Sequence, residues 1–164
     1  MITSGAIIVG MADLNTVKDT GSLITLGLGS CVGIALYDPV AKVAGLAHAM
    51  LPSSKEITNN NTNIAKFVDL ATIKLTKDMI AKGAKQDRIV AKLAGGAQMF
   101  AFGATQQNMR IGDRNVAAAE NILRRLGIKI ISKDVGKTFG RTVQLYVADG
   151  KFVIKTIDHG SYTI

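Results

Sequence analysis

Cys31-Val32-Gly33-Ile34-Ala35-Leu36-Tyr37-Asp38-Pro39-Val40-Ala41-Lys42-Val43-Ala44-Gly45-Leu46-Ala47-His48-Ala49-Met50-Leu51 is the stretch on which the fold turns. Two apolar runs flank Asp38-Pro39-Val40-Ala41, so the segment reads as a β-hairpin. Asp at the first turn position and Pro at the second fit a type I turn. A symmetric turn predicts Leu36 opposite Val43, Ile34 opposite Gly45 and Val32 opposite Ala47. In that register Cys31 faces His48, with Cβ atoms about 4.5–5.5 Å apart on one face. A one-residue bulge would turn His48 to the other face.

Outward from the hairpin, strand signals dominate the first third. Ala6 to Gly10 and Ser22 to Leu26 are short runs rich in Ile and Val. The period then changes. Ile64, Phe67, Val68, Ala71, Leu75 and Met79 recur at helical steps, predicting an amphipathic helix that ends near Gly83 and is capped by Asn61, Thr62 or Asn63. Arg88 to Ala94 reads as a strand running into Gly95-Gly96. Val116, Ala119, Ile122, Leu123 and Leu126 form the stripe of a second helix, with Asp113 as cap and Gly127 as stop. Strands follow at Lys129 to Asp134, Thr142 to Ala148 and Phe152 to Asp158, the last two joined through Asp149-Gly150, a strong hairpin signal. Many strands and two helices in no regular alternation predict an α/β sandwich of mixed sheets, not a doubly wound parallel fold.

At 164 residues the chain is the size of one domain, 1–164, and its 48% hydrophobic content excludes disorder. Seventeen Gly without a period exclude collagen. One Cys excludes an intramolecular disulfide, and two His exclude a His-rich metal site, so no metal or cofactor is expected. The first residues lack the basic start of a secretory signal, and no apolar run approaches the ~20 residues of a membrane span. The expectation is a cytoplasmic protein with a reduced Cys31. A net charge of +8 favours acidic partners. Nucleic acid is disfavoured, because aromatics are 5% and do not interleave with basic residues. The bland reading of the charge is a solvated basic face, with Lys74, Lys77, Lys82 and Lys85 on or after the first helix.

Chemistry concentrates around Cys31. It follows Leu26-Gly27-Leu28-Gly29-Ser30, a glycine-rich segment leaving a strand. Such a loop leaves backbone N–H groups free to hold an oxyanion beside a nucleophile, which makes Gly27, Gly29 and Ser30 candidate oxyanion and substrate contacts. An imidazole can shift a thiol toward thiolate and needs a third group to orient it. Thr25, at the end of the preceding strand, is the nearest candidate. The competing reading makes Cys31 an inert core thiol and His48 a buried, hydrogen-bonded histidine. A dinucleotide loop is excluded, because β-branched, strand-like residues follow and no helix receives a pyrophosphate. A P-loop fails for want of Gly-Lys-Ser/Thr.

Thr25-Leu26-Gly27-Leu28-Gly29-Ser30-Cys31-Val32, Asp38-Pro39 and Ala47-His48-Ala49-Met50-Leu51-Pro52 resemble segments of the chemoreceptor glutamine deamidase family, CheD. Lys66-Phe67-Val68-Asp69, Ala94-Gly95-Gly96-Ala97-x-Met99-Phe100, Ile111-Gly112-x-Arg114-Asn115 and Gly136-Lys137-x-x-Gly140-Arg141 extend the resemblance over nearly the whole chain. It implies a cysteine hydrolase of receptor glutamine side chains, with its catalytic Cys, His and Thr at Cys31, His48 and Thr25. It implies a layered α/β fold similar to the catalytic domain of cytotoxic necrotizing toxins, and a CheC-type phosphatase as partner. The Asn59 to Asn63 stretch departs from the family's pattern. Gly95 and Gly96 either let a receptor backbone approach or permit a strand bend. Arg114 and Asn115 either bind substrate or cap and solvate the second helix. Two rival functions stay open: another cysteine hydrolase, such as a receptor methylesterase, and a non-catalytic module that binds CheC-type proteins or receptors.

Overall fold

The computed structural model describes residues 5–56, 63–99 and 111–164. Its strands are β1 (Ala6–Ile8), β2 (Asp13–Lys18), β3 (Ser22–Leu28), β4 (Val32–Asp38), β5 (Val43–Ala49), β6 (Val90–Gly95), β7 (Lys129–Val135), β8 (Arg141–Tyr146), β9 (Phe152–Lys155) and β10 (Ser161–Thr163). Helix α1 spans Val68–Ala81 and α2 spans Ile111–Arg125. One mixed sheet has the order β1-β3-β8-β9-β10 and the other β2-β5-β4-β6-β7. Parallel pairs β1–β3 and β6–β7 make both sheets mixed, as the irregular alternation of elements predicts.

The sheets stack face to face, and both helices cover the outer face of the second sheet. Strands β4 and β5 are therefore buried on both sides, which explains why they are apolar throughout rather than alternating. Val32, Ile34, Leu36, Ala47 and Ala49 meet Leu75, Met79 and Leu123 on the helix side. Cys31, Ala35, Tyr37, Ala44 and Leu46 face Leu23, Val143 and Phe152 between the sheets. Gly45 faces α1, where a Cβ would press on Leu75 and Met79.

The hairpin register differs from the symmetric expectation. Asp38 pairs with Val43, Leu36 with Gly45, and Gly33 rather than Cys31 stands opposite His48. The cause is Asp38, whose Oδ1 accepts from the N–H groups of Val40 (2.9 Å) and Ala41 (3.0 Å). Those bonds hold a four-residue connection closed by Lys42 N–H on the Asp38 carbonyl. Cys31 then lies two residues from the position facing His48, still on the inter-sheet side.

Other boundaries moved for local reasons. Asn63 caps a short 3₁₀ turn, Ile64–Lys66, and α1 begins only at Val68. Asp113 lies inside the first turn of α2 rather than capping it. Gly127 ends α2 with φ +72°. The Asp149-Gly150 turn closes β8 onto β9 as expected. Most of the Asn-rich patch, and Phe100 of the Ala94–Phe100 signature, fall outside the described residues.

Candidate functional site

The site forms at one end of the sheet stack. Strand β3 ends there, the Gly29–Cys31 loop turns the corner, and β5 delivers His48. Thr25 projects from β3 across the inter-sheet gap. Its Oγ1 lies 2.8 Å from His48 Nδ1 and 2.6 Å from the Val9 carbonyl. A threonine hydroxyl has one proton, and the carbonyl can only accept it. The hydroxyl therefore donates to Val9 and accepts from His48 Nδ1–H. Neutral His48 carries its proton on Nδ1, leaving the Nε2 lone pair open. Nε2 is buried and has no hydrogen-bond partner among the described residues. Asp13, across from His48 in β2, spends its carboxylate on the Leu14 N–H instead.

The residue opposite His48 is Gly33, and the Leu28 side chain packs where a Cβ on Gly33 would stand. Cys31 is the next residue on that face and is 8% exposed, against 1% for His48. The two are not hydrogen-bonded in this structure.

Three successive carbonyls of the loop are tied inward. Gly29 O accepts from Ala97 N–H (2.8 Å), Cys31 O from Gly96 N–H (2.8 Å), and Ser30 O from Asn115 Nδ2 (2.9 Å). The Ser30 and Cys31 N–H groups donate to no backbone carbonyl among the described residues. They are the donors an oxyanion beside Cys31 would meet. Gly27 has φ +69° at the bulge between Thr25 and Leu28, with open space where a Cβ would stand.

Gly95 and Gly96 serve close packing. At φ +101°, Gly95 passes so near the Cys31 carbonyl that a Cβ would collide with it. A Cβ on Gly96 would strike Val116 of α2. Both glycines lie beneath the loop. Asn115 neither caps nor solvates α2. It is fully buried, and its Nδ2 bridges Ser30 O and Met50 O, both at 2.9 Å. It thus joins the residue before Cys31 to the end of the His48 strand. The signal for this role was the spacing Gly112-x-x-Asn115, which sets both residues on one helix face. Arg114 is exposed on the first turn of α2.

Burial pushes the Cys31 thiol up, partly opposed by its own backbone N–H, and burial pushes His48 down. Both shifts favour a neutral thiol–imidazole pair in the free protein. The sign for stability follows. As pH falls below about 6.5, unfolded His48 takes up a proton before the folded form does. As pH rises above about 8.5, unfolded Cys31 loses its proton first. Each lowers stability, so these groups are expected to leave a plateau between those limits. Urea melts across pH should show the alkaline slope reduced in Cys31→Ala and the acid slope reduced in His48→Asn. Unchanged slopes would exclude the linkage.

A thiol, an imidazole oriented by a hydroxyl and a loop with open amides define a candidate cysteine-hydrolase site. The family described as CheD chemotactic sensory transduction matches residues 50–156, and the chain belongs to it. A "Probable chemoreceptor glutamine deamidase CheD" of Caldanaerobacter subterraneus subsp. tengcongensis is 50% identical over 93% of this chain and 93% of its own length. The "Chemoreceptor glutamine deamidase CheD" of Halalkalibacterium halodurans is 47% identical over 95% of this chain and 96% of its own. Among solved structures, the Bacillus licheniformis hypothetical protein YfiH aligns over 77% of this chain and 50% of that one, with a TM-score of 0.47 and 14% identity. Among the described residues, no helix is long and apolar enough to cross a membrane, and no His, Cys, Asp and Glu cluster could hold a metal ion.

Proposed function

We propose that this chain is a protein-glutamine deamidase that converts glutamine side chains of chemoreceptors to glutamate and releases ammonia. The observation that carries the reading is the Thr25–His48 bond, which leaves Nε2 unprotonated and open on the face that also holds Cys31. Family membership supports the substrate class.

The neutral resting pair sets the order of steps. His48 Nε2 takes the Cys31 proton as Sγ attacks the carboxamide carbon. The Ser30 and Cys31 N–H groups receive the negative oxygen. The imidazolium then gives its proton to the leaving nitrogen, and ammonia departs from a thioester on Cys31. His48 next takes a proton from water as the water attacks the thioester. That proton returns to sulfur, and glutamate leaves. No other reactant is required by this balance. A CheC-type phosphatase is the protein partner this reading brings with it, on family membership alone.

The test is peptide mapping of a purified receptor cytoplasmic fragment after incubation with the protein. Glutamine converted to glutamate at defined positions is the expected result. An unmodified fragment that nevertheless binds would overturn the enzymatic reading. One observation favours a second reading, a non-catalytic module: Cys31 is buried and its thiol is pushed up. Alkylation separates the two, because an inert core thiol resists iodoacetamide under native conditions.

Thr25→Val keeps the shape of the site but leaves the Val9 carbonyl and His48 Nδ1 without their partner. A cost of about 1–3 kcal/mol in stability is expected. The kcat should fall about 10-fold to 100-fold with little change in KM, and His48→Ala should fall further. The reverse order in steady-state kinetics would remove the orienting role of Thr25.

A further inference from the structure

Among the described residues, no helix covers the outer face of the β1-β3-β8-β9-β10 sheet, since α1 and α2 pack on the other sheet. A cleft of about 670 Å³ opens on it, with Leu26, Gly27, Met99, Phe139, Lys155 and Ile157 among its walls. Its apolar groups are unusually open. Ile157 is 98% exposed, and Leu26 is 54% exposed. Exposed apolar side chains grouped around one cleft suit contact with an apolar ligand segment.

The wall is rigid where rigidity helps binding. The Phe139 ring stacks on His159 at 4.1 Å between centroids, and the Arg141 guanidinium carbon lies 4.7 Å from the same ring centroid. Arg141 is itself fixed by Asp134 (2.9 Å) and the Gly136 carbonyl (3.0 Å). A pre-fixed wall spares a ligand the entropy of ordering it.

The cleft is continuous with the nucleophile loop. Met99 lines it and also stands 3.6 Å from where a Cβ on Gly29 would be. Gly29 is two residues before Cys31, a distance of at most about 7 Å along the chain. Whatever presents an amide to Cys31 has its neighbouring residues at the mouth of this cleft.

We propose that the cleft is an exosite for the apolar residues that flank the target glutamine in the chemoreceptor polypeptide. The proposal rests on the deamidase reading for its substrate. Lys155, exposed among the walls, suits a flanking stretch that also carries a carboxylate. The exosite selects the polypeptide, and the Cys31 site acts on any amide that reaches it.

Ile157→Asp is the decisive variant, because so exposed a side chain contributes little to folding. Binding of a receptor cytoplasmic fragment is measured on the Cys31→Ala background, where no turnover complicates it. Turnover is measured in the active protein with that fragment and with the small amide benzyloxycarbonyl-glutaminyl-glycine. Ile157→Asp should weaken fragment binding tenfold or more and raise KM for the fragment alike. Its kcat/KM for the small amide should stay within twofold, and Leu26→Asp should behave the same way. Unchanged fragment binding, or a parallel loss on both substrates, would overturn the exosite. So would a dimer that Ile157→Asp converts to monomer, since the face would then join copies of this chain. Fragment binding that depends on Ile157 without deamidation would keep the exosite and remove the deamidase reading.

Discussion

Cys31→Ala is expected to yield a folded protein that no longer converts receptor glutamine to glutamate. No second thiol can replace it, since Cys31 is the chain's only cysteine. Removing a covalent nucleophile costs about 10³-fold or more, because binding and oxyanion contacts alone support only residual turnover. Stability should change by no more than about 1 kcal/mol, the scale of one small buried group. The three loop carbonyls keep their donors, because Gly96, Ala97 and Asn115 hold backbone rather than sulfur. The measurement pairs peptide mapping of the receptor fragment with a thermal melt of the variant. Deamidation at the wild-type rate by a folded Cys31→Ala protein would end the thioester mechanism.

Asn115→Ala should be the most damaging change outside Cys31, His48 and Thr25. It leaves the part-buried Ser30 and Met50 carbonyls without their side-chain donor. Each unsatisfied group costs about 1–3 kcal/mol, so a loss of about 2–6 kcal/mol is expected in urea unfolding. Asn115→Asp replaces the donor by a carboxylate facing two carbonyl oxygens, and should be worse still. The kinetic effect is separable from the loss of fold. One bridge holds the Cys31 loop and the His48 strand in register, and misplacement by about 1 Å can cost about 100-fold in rate. The kcat of the fraction that stays folded should therefore drop with KM for the receptor fragment little changed. A destabilised Asn115→Ala protein with normal kcat would reduce Asn115 to packing.

The two variants probe different levels of the same design. Cys31 acts at the reacting atoms. Asn115 acts through the backbone on either side of them, from a helix packed on the opposite face of the β4 sheet.

Much of the fold was legible from local signals. The β3, β4 and β5 runs announce themselves by β-branched and apolar content, and Asp149-Gly150 by its turn chemistry. The helix stripes of α1 and α2 follow from their period. Strand β2, Asp13-Leu14-Asn15-Thr16-Val17-Lys18, was not legible, because an edge strand with one solvated face carries few apolar residues. Strand β10 is three residues long and offers no period at all.

The site divides in the same way. Its residue types stood out in the sequence: one cysteine after a glycine-rich turn, a histidine in the next strand, and a threonine before the turn. These are properties of short segments, and short segments are what local sequence specifies. The geometry belongs to the tertiary structure. The Asp38 carboxylate captured two turn amides and slid the hairpin register, so Gly33 rather than Cys31 came to face His48. Sheet stacking brought Thr25 to His48 and gave the imidazole its tautomer. Helix packing brought Asn115 to both segments at once. Contacts between layers join residues far apart in the chain and depend on which faces pack together, so no window of sequence contains them.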